Sequence, residues 1–298
     1  MTNTNAPRYD LAVAYRICSK VSQSASPFGE DKRILAETCL RTFRDSLGSI
    51  RARMWVILDS CPPDFEEMFR RYFDERDLQF LRVENAGNAG TFRMQIDTLA
   101  EQRDAELIYF AEDDYLYLAG EFRGMLDVLR SFDNVDFVSP YDHPDFYDLG
   151  LESRRCELRF AEGRHWRTAG STCLTFLTTR KTLLETRRVF ESYSRRNFDS
   201  SIWLSLTKSR VRNPLAVARF ALSDRVLFKV IGKAWLFCWR QILFGKRRKI
   251  WVPIPTIGTH LDHRRMAEGV SWSSMLGGEA GDAVGAGGRK VSGESSGR

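Results

Sequence analysis

Over its first half the chain switches repeatedly between two hydrophobic periods. Short apolar runs at Leu11–Ile17, Arg53–Asp59, Leu78–Glu84 and Leu107–Asp114, with VDFVSP at 135–140, are strand-like. Between them, apolar residues recur at helical spacing: Leu35, Cys39, Phe43 and Leu47, then Phe65, Phe69, Tyr72 and Phe73. Phe92, Ile96 and Leu99 mark a further helix, and Phe122, Met125, Leu126 and Leu129 another. Strands alternating with helices of this length predict βαβ units, hence an α/β fold with a mainly parallel sheet flanked by helices. Ligands in such sheets bind beyond the carboxyl ends of the strands. Asp59, Asn85 to Asn88, and Glu112 to Asp114 occupy those ends and are the first site candidates.

Two common nucleotide fingerprints are missing. No GxGxxG follows the first strand and no GxxxxGK[ST] occurs anywhere, which argues against a nicotinamide dehydrogenase and a P-loop kinase. NAGNAG (Asn85–Gly90) contains glycine but matches neither pattern. The second half is less regular. His165–Arg180 reads as a polar turn and then a strand, with helices expected near Lys181–Tyr193 and Ser200–Ser209. The expected division is a catalytic domain over 1–214, a basic apolar helical segment over 215–249, and a loop over 250–276 that returns to the site. A tail over 277–298, rich in Gly, Ser, Ala and charge, is expected to be disordered.

Composition limits the partners without choosing one. Lys+Arg number 45 against 39 Asp+Glu, a net charge of +6 that suits nucleic acid, anionic lipid or phosphorylated substrates. The six cysteines are scattered without a CxxC pair, so a zinc ribbon has little support and the cytoplasm is the expected compartment. Residues 1–8 lack the apolar run of a secretory signal.

Glu112, Asp113 and Asp114 follow the apolar run LIYF. Strand alternation would put Glu112 and Asp114 on one side and Asp113 on the other. Three carboxylates at one strand end repel each other, and a bound cation relieves this. Oxygen ligands suit Mg²⁺ or Mn²⁺, which would neutralise a diphosphate leaving group. The alternative is a solvated acidic turn opening the next helix.

VAYRI, VILDS, NAGNAGTFR, YFAEDDYLY, FDSSIWLSL and TIGTHL, in that order over about residues 10–262, resemble the GT-A-fold glycosyltransferases, most closely the broad family 2 type. The resemblance implies a Rossmann-like domain with a helical C-terminal extension. Glu112–Asp113–Asp114 would be a variant of its acidic metal–diphosphate element, with Asp114 as first metal ligand and Asp113 addressing the ribose or a water. Ala14, Tyr15 and Arg16 would lie under base and ribose. Asp59, which can accept but not donate, would take the N–H of a uracil or thymine. Asn88 belongs to the same nucleotide site, and Arg93 would reach a phosphate unless it is a surface arginine. His260 would join the metal, with His263 a weaker candidate.

The same resemblance makes Asp199 the base that deprotonates the acceptor hydroxyl, although Phe198 stands where the family often has a second acid. Asp199 is also a good helix cap. Asp142 and Asp145 are rivals for the base, and His165 and Trp166 are candidates to line the acceptor pocket. No QxxRW motif occurs, which favours single-sugar transfer over processive synthesis. The implied activity moves one sugar, with inversion, from a UDP- or dTDP-sugar to a hydroxyl of a glycan or lipid-linked glycan. The alternatives are a sugar nucleotidyltransferase and a nucleic-acid-binding protein; no nucleic acid partner is expected.

Val226–Phe244 is nineteen residues long and mostly apolar, yet holds Lys229, Lys233 and Arg240. Those charges are costly at mid-bilayer. The segment is therefore expected to lie along an anionic membrane surface, at the inner face of the membrane, or to pack on the catalytic domain with its cations reaching water, in preference to a third alternative, a true span.

Overall fold

The computed structural model describes residues 8–20, 31–148, 156–213, 217, 224–262 and 265–275. The tail over 277–298, most of the loop after the first strand, residues 215, 216 and 218–223 of the basic apolar segment, and His263 lie outside them.

Eleven strands are described: β1 (Leu11–Cys18), β2 (Ala52–Asp59), β3 (Leu78–Val83), β4 (Leu107–Glu112), β5 (Tyr115–Tyr117), β6 (Phe137–Val138), β7 (Leu158–Ala161), β8 (Arg164–Ala169), β9 (Phe176–Thr179), β10 (Ile250–Ile254) and β11 (Gly258–His260). Nine form one sheet in the order β3-β2-β1-β4-β9-β6-β10-β8-β7, while β5 and β11 pair as a separate ribbon. Neighbours from β3 to β4 run parallel. β9 runs antiparallel to β4 and β6, and β10 is parallel to β6 but antiparallel to β8. The result is the mixed, mainly parallel sheet expected from the alternating periods, with helices on its flanks.

The principal helices are α1 (Lys32–Leu47), α2 (Asp64–Arg70), α3 (Gly87–Glu101), α4 (Phe122–Ser131), the short α5 (Asp145–Asp148), α6 (Arg180–Phe190), α7 (Asp199–Thr207) and α8 (Arg225–Phe244). Helix α1 shows why the sequence folds this way. The Asp31 carboxylate accepts from the N–H groups of Arg33 and Ile34 and so caps the helix. Leu35, Cys39, Phe43 and Leu47 form its buried face, and Gly48, at φ 54°, turns the chain out. Burying Phe43 alone is worth about 3 kcal/mol.

Both faces of the sheet are covered. One core joins Val13, Tyr15, Val56 and Tyr109 to α1, α2 and α4; the other joins Ala14, Phe110 and Phe176 to α3, α6 and α7. Gln95 of α3 crosses between strands, donating to the carbonyls of Ala14 (2.7 Å) and Ala111 (2.9 Å). It thereby fixes α3 over the seam between β1 and β4. Helix α8 is the C-terminal helical extension; Val230, Ile231, Ala234 and Ile242 pack with Leu204 of α7 in a third cluster.

The chain departs from the sequence reading in its second half. Trp251–Ile254, expected as part of a loop, is most of β10 and sits between β6 and β8. Pro253 has no amide hydrogen to give the ladder, which makes this strand hard to read from sequence. The β7–β8 hairpin was not anticipated: Leu158 and Phe160 are exposed on the edge strand, and β8 carries Arg164, His165 and Arg167. Its turn is made by Glu162 and Gly163, both at positive φ.

Candidate active site

The carboxyl ends of β1, β2 and β4 open into a cavity of about 330 Å³ whose lining includes Arg16, Lys32, Asp59, Asn88, Asp113 and Asp114. The chain runs outward from β1 through β2 to β3, then returns to β4 on the other side of β1. The connections diverge at that seam and leave a crevice, which is where α/β sheets bind ligands.

β4 ends at Glu112, and Asp113 and Asp114 turn the chain into β5. The turn aims the three carboxylates at three cations. Glu112 pairs with Arg16, its register partner on β1, and accepts from Thr175 Oγ1 at 2.7 Å. Asp113 meets Lys32 Nζ at 2.6 Å and accepts from the Cys18 amide at 3.3 Å. Asp114 faces His260 Nε2 at 3.1 Å. The repulsion that had called for a bound ion is thus balanced by cations of the chain itself.

The charges shift accordingly. Burial raises Asp113 above the usual carboxylate range, and Lys32 offsets only part of that. Burial acts on Asp114 in the same direction, but the charge and hydrogen bond of His260, with the charges of Lys32 and Arg16, together outweigh it and hold this carboxyl below its ordinary value. Burial disfavours the His260 cation, yet the charge and hydrogen bond of Asp114, with the charges of Glu112 and Asp262, together push its pKa up to about 9.

His260 arrives at the site on β11. That strand pairs antiparallel with β5, setting His260 opposite Tyr115, and the Leu261 amide donates to the Asp114 carbonyl at 2.8 Å. The His260 ring stands edge-on to Tyr115 at 5.3 Å. Asp114 Oδ1 is buried with no hydrogen-bond partner. An unpaired buried carboxylate oxygen is costly, and so calls for a physical explanation.

No protein-family model matches this chain, and no curated protein matches it. Solved structures do. A galactosyltransferase, LgtC, in complex with donor and acceptor sugar analogues matches at 10% identity and a TM-score of 0.33, over 76% of this chain and 70% of that one. A mycobacterial protein matches at 11% and 0.36, over 73% and 62%. A cytidylyltransferase from Leptospira borgpetersenii matches at 14% and 0.33, over 61% and 64%. At these values the matches assign neither a family nor an activity to this chain.

The other candidates divide. Arg16 lines the cavity and donates to the Asn88 carbonyl at 2.9 Å, tying β1 to the start of α3. Asp59 lines it too, but its carboxylate already accepts from the amides of Ala86 (3.1 Å) and Gly87 (2.7 Å). It thus caps α3 from another strand, satisfying amides that a helix start leaves open. Ala14 and Tyr15 are fully buried on opposite faces of β1 and do not reach the cavity surface. Arg93 is turned away to Asp97 (3.0 Å) and Glu191 (3.3 Å).

Asp199 opens α7 and accepts from the Ser200 amide at 2.6 Å. Burial raises its carboxyl, and the nearby Glu112 charge adds to the rise. Asp142 is held by Arg167 at 3.4 Å and Tyr147 at 2.5 Å, and Asp145 lies beside His143. Trp166 is fully buried, its indole N–H on the Ala161 carbonyl at 3.1 Å, so it has no face to offer a sugar. His165 packs against Phe160 on the hairpin.

Three contributors were not singled out from sequence: Lys32, Thr175 and the Cys18 amide. Lys32 had a readable signal, since it directly follows the capping Asp31 at the start of α1, beyond the first strand.

Among the described residues, no three His, Cys, Asp or Glu side chains form a metal-ligand set. A hard divalent ion that works on phosphates commonly takes only one or two carboxylates, with phosphate and water oxygens completing its shell. Asp114, through its unpartnered Oδ1, and a deprotonated His260 fit that partial set.

Proposed function

We propose that this protein is a glycosyltransferase that moves one sugar from a nucleoside-diphosphate donor, a UDP- or dTDP-sugar, to a hydroxyl of a glycan or lipid-linked glycan. The observation that carries the reading is the Asp114–His260 pair. A half-buried carboxylate with one unpartnered oxygen and an imidazole from 146 residues later meet just beyond the carboxyl end of β4. That oxygen–nitrogen pair beside Arg16 and Lys32 suits a polyanion such as a diphosphate. A divalent ion, Mn²⁺ or Mg²⁺, held there would neutralise the diphosphate as a leaving group.

Asp199 supplies the base. The acceptor oxygen forms a bond to the anomeric carbon, Asp199 takes the hydroxyl proton, and the bond to the diphosphate breaks with its electron pair leaving on the nucleotide. A carboxyl raised by burial is a better proton acceptor than an ordinary one, which is how general bases are tuned. Six free cysteines suit a reducing compartment, the cytoplasm.

The test is a panel of nucleotide-sugars with Mn²⁺, scored by thermal shift and by release of nucleoside diphosphate. Stabilisation and release with a UDP- or dTDP-sugar is the expected result. Pyrophosphate release from a nucleoside triphosphate and a sugar phosphate, with no response to any nucleotide-sugar, would make the protein a nucleotidyltransferase instead.

A further inference from the structure

Helix α8 has two unlike faces. The inner one, with Val230, Ile231, Ala234, Cys238 and Ile242, is buried against the domain. The outer one holds Val226, Phe228, Leu236, Trp239, Leu243 and Phe244, each between 42% and 79% exposed. Six large apolar side chains on one exposed helix face are more than scattered surface residues require.

The charge on this segment has one sign. From Arg225 to Lys249 the sequence has eight Lys and Arg and no Asp or Glu. Some of these cations are engaged: Arg248 with Asp136 (2.8 Å) and Glu185 (2.7 Å), and Lys249 with Glu157 (2.5 Å). Arg225, Lys229 and Arg240 form no salt bridge among the described residues, and all three are exposed. Up to the kink at Cys238, 100° per residue sets Arg225, Lys229 and Leu236 along one stripe with Phe228 on its flank; beyond the kink Trp239, Arg240, Leu243 and Phe244 are again exposed. Apolar and cationic side chains therefore share the exposed face.

We infer that the outer face of α8 docks on an anionic lipid surface, lying in the interface with its aromatic and leucine side chains among the headgroups. Cations interleaved with Trp, Phe and Leu are what such a surface selects: the charges meet anionic headgroups while the apolar groups enter the acyl boundary. A second copy of this face would bring like charges together, which disfavours self-pairing. Among the described residues, no helix is long and apolar enough to cross a membrane, so α8 lies on the bilayer instead of through it.

The docked helix is coupled to the segment that carries the candidate base. Ser201 Oγ donates to the Val230 carbonyl at 2.8 Å, and Lys233 Nζ sits 3.5 Å over the Phe198 ring, next to Asp199. If the site has the activity proposed above, a lipid-borne acceptor is presented to it from this side. That consequence rests on the proposed activity; the docking does not.

The test is co-sedimentation of the full chain with vesicles of phosphatidylcholine alone, or with part of it replaced by phosphatidylglycerol, without any nucleotide-sugar. Binding is expected only to the anionic vesicles, weakening with salt. It should fall about fivefold for each of Arg225→Gln, Lys229→Gln and Arg240→Gln. Leu236→Glu with Leu243→Glu should abolish it. These side chains are exposed, so circular dichroism and thermal midpoint should stay unchanged; if the Glu pair unfolds the chain, the Gln series alone decides. Equal binding to neutral vesicles, no binding at all, or variants that change only self-association in the centrifuge would overturn the docking. Because no donor is present, failure of the nucleotide-sugar panel leaves this result standing.

Discussion

Arg16 and Glu112 stand opposite each other in register on β1 and β4, and their side chains form a buried ion pair at the floor of the cavity. Breaking such a pair from one side strands a buried charge, which costs about 3 kcal/mol or more, while replacing both partners with apolar residues costs far less. Glu112→Leu should therefore lower stability by about 3 kcal/mol in urea denaturation. The double variant with Arg16→Met should recover most of the loss. Equal destabilisation by single and double variants would mean that the pair is not what holds this floor.

A second expectation concerns Asp114 and His260. Asp114→Asn and His260→Ala should each abolish a Mn²⁺-dependent thermal shift in the presence of donor and bring transfer to background, with circular dichroism unchanged. The His260 proton, held up to a pKa of about 9 by Asp114, must leave before its nitrogen can ligate. Mn²⁺ uptake should therefore strengthen as pH rises towards that value and release protons, measurable by calorimetry in buffers of different ionisation enthalpy. Uptake that is independent of pH and releases no proton would take His260 out of the ligand set.

Asp199 gives a pH-dependent prediction. Its carboxyl is raised above the ordinary value of 3.8 by burial and by Glu112. The acid limb of kcat/KM should therefore inflect above 3.8, with activity lost as pH falls through the raised value. The same shift means that the folded chain holds this proton more tightly than the unfolded one. Its contribution to stability therefore declines as pH rises from 3.8 through the folded value. Asp199→Asn should cut kcat by roughly 100-fold without changing donor affinity. A variant with normal kcat and a lower thermal midpoint would leave Asp199 a helix-start residue only.

His143 is buried among Tyr141, Phe146 and Asp145, and its Nδ1 accepts from the Asp145 amide at 2.9 Å. Burial lowers its pKa below 6.5; the positive charge of Arg265 acts in the same direction and Asp145 against it. A lowered folded pKa means that the unfolded chain binds the proton first. This contribution is present in full above 6.5 and is lost as pH falls through the folded value. His143→Asn should flatten the stability-against-pH curve in that window, and an unchanged slope would assign the loss to other groups.

Legibility followed chemistry along the chain. The strands that end at Asp59 and Glu112, and the helix faces of Leu35–Leu47 and Phe122–Leu129, are uniformly buried, so their periods show in the sequence. β7 and β8 lie at a sheet edge, where Phe160 and His165 face solvent and the period is blurred. β10 is interrupted by Pro253. The acidic turn was visible as EDD, and Arg16 and His260 were site candidates, but Lys32 was not, nor was the pairing of each acid with its own cation. Arg16, Lys32 and His260 come from three separated segments, and only the sheet and the ribbon bring them together. Asp59 shows the converse: its place was readable, but the two amides it accepts from depend on where α3 begins.

The pairing of β11 with β5 sets an order of assembly. Residues 8–148 contain most of the cavity walls, the acidic turn and most of the parallel strands, and all of these leave the ribosome early. The imidazole that closes the turn is made more than a hundred residues later. β10 must also enter the middle of a sheet whose neighbours, β6 and β8, were synthesised long before. During synthesis the chain therefore holds an open groove beside β6 and a buried-to-be acid without its cation, both of which attract wrong partners. A nascent chain stalled before Ile250 should be protease-sensitive and chaperone-bound even though most of the sheet has been made.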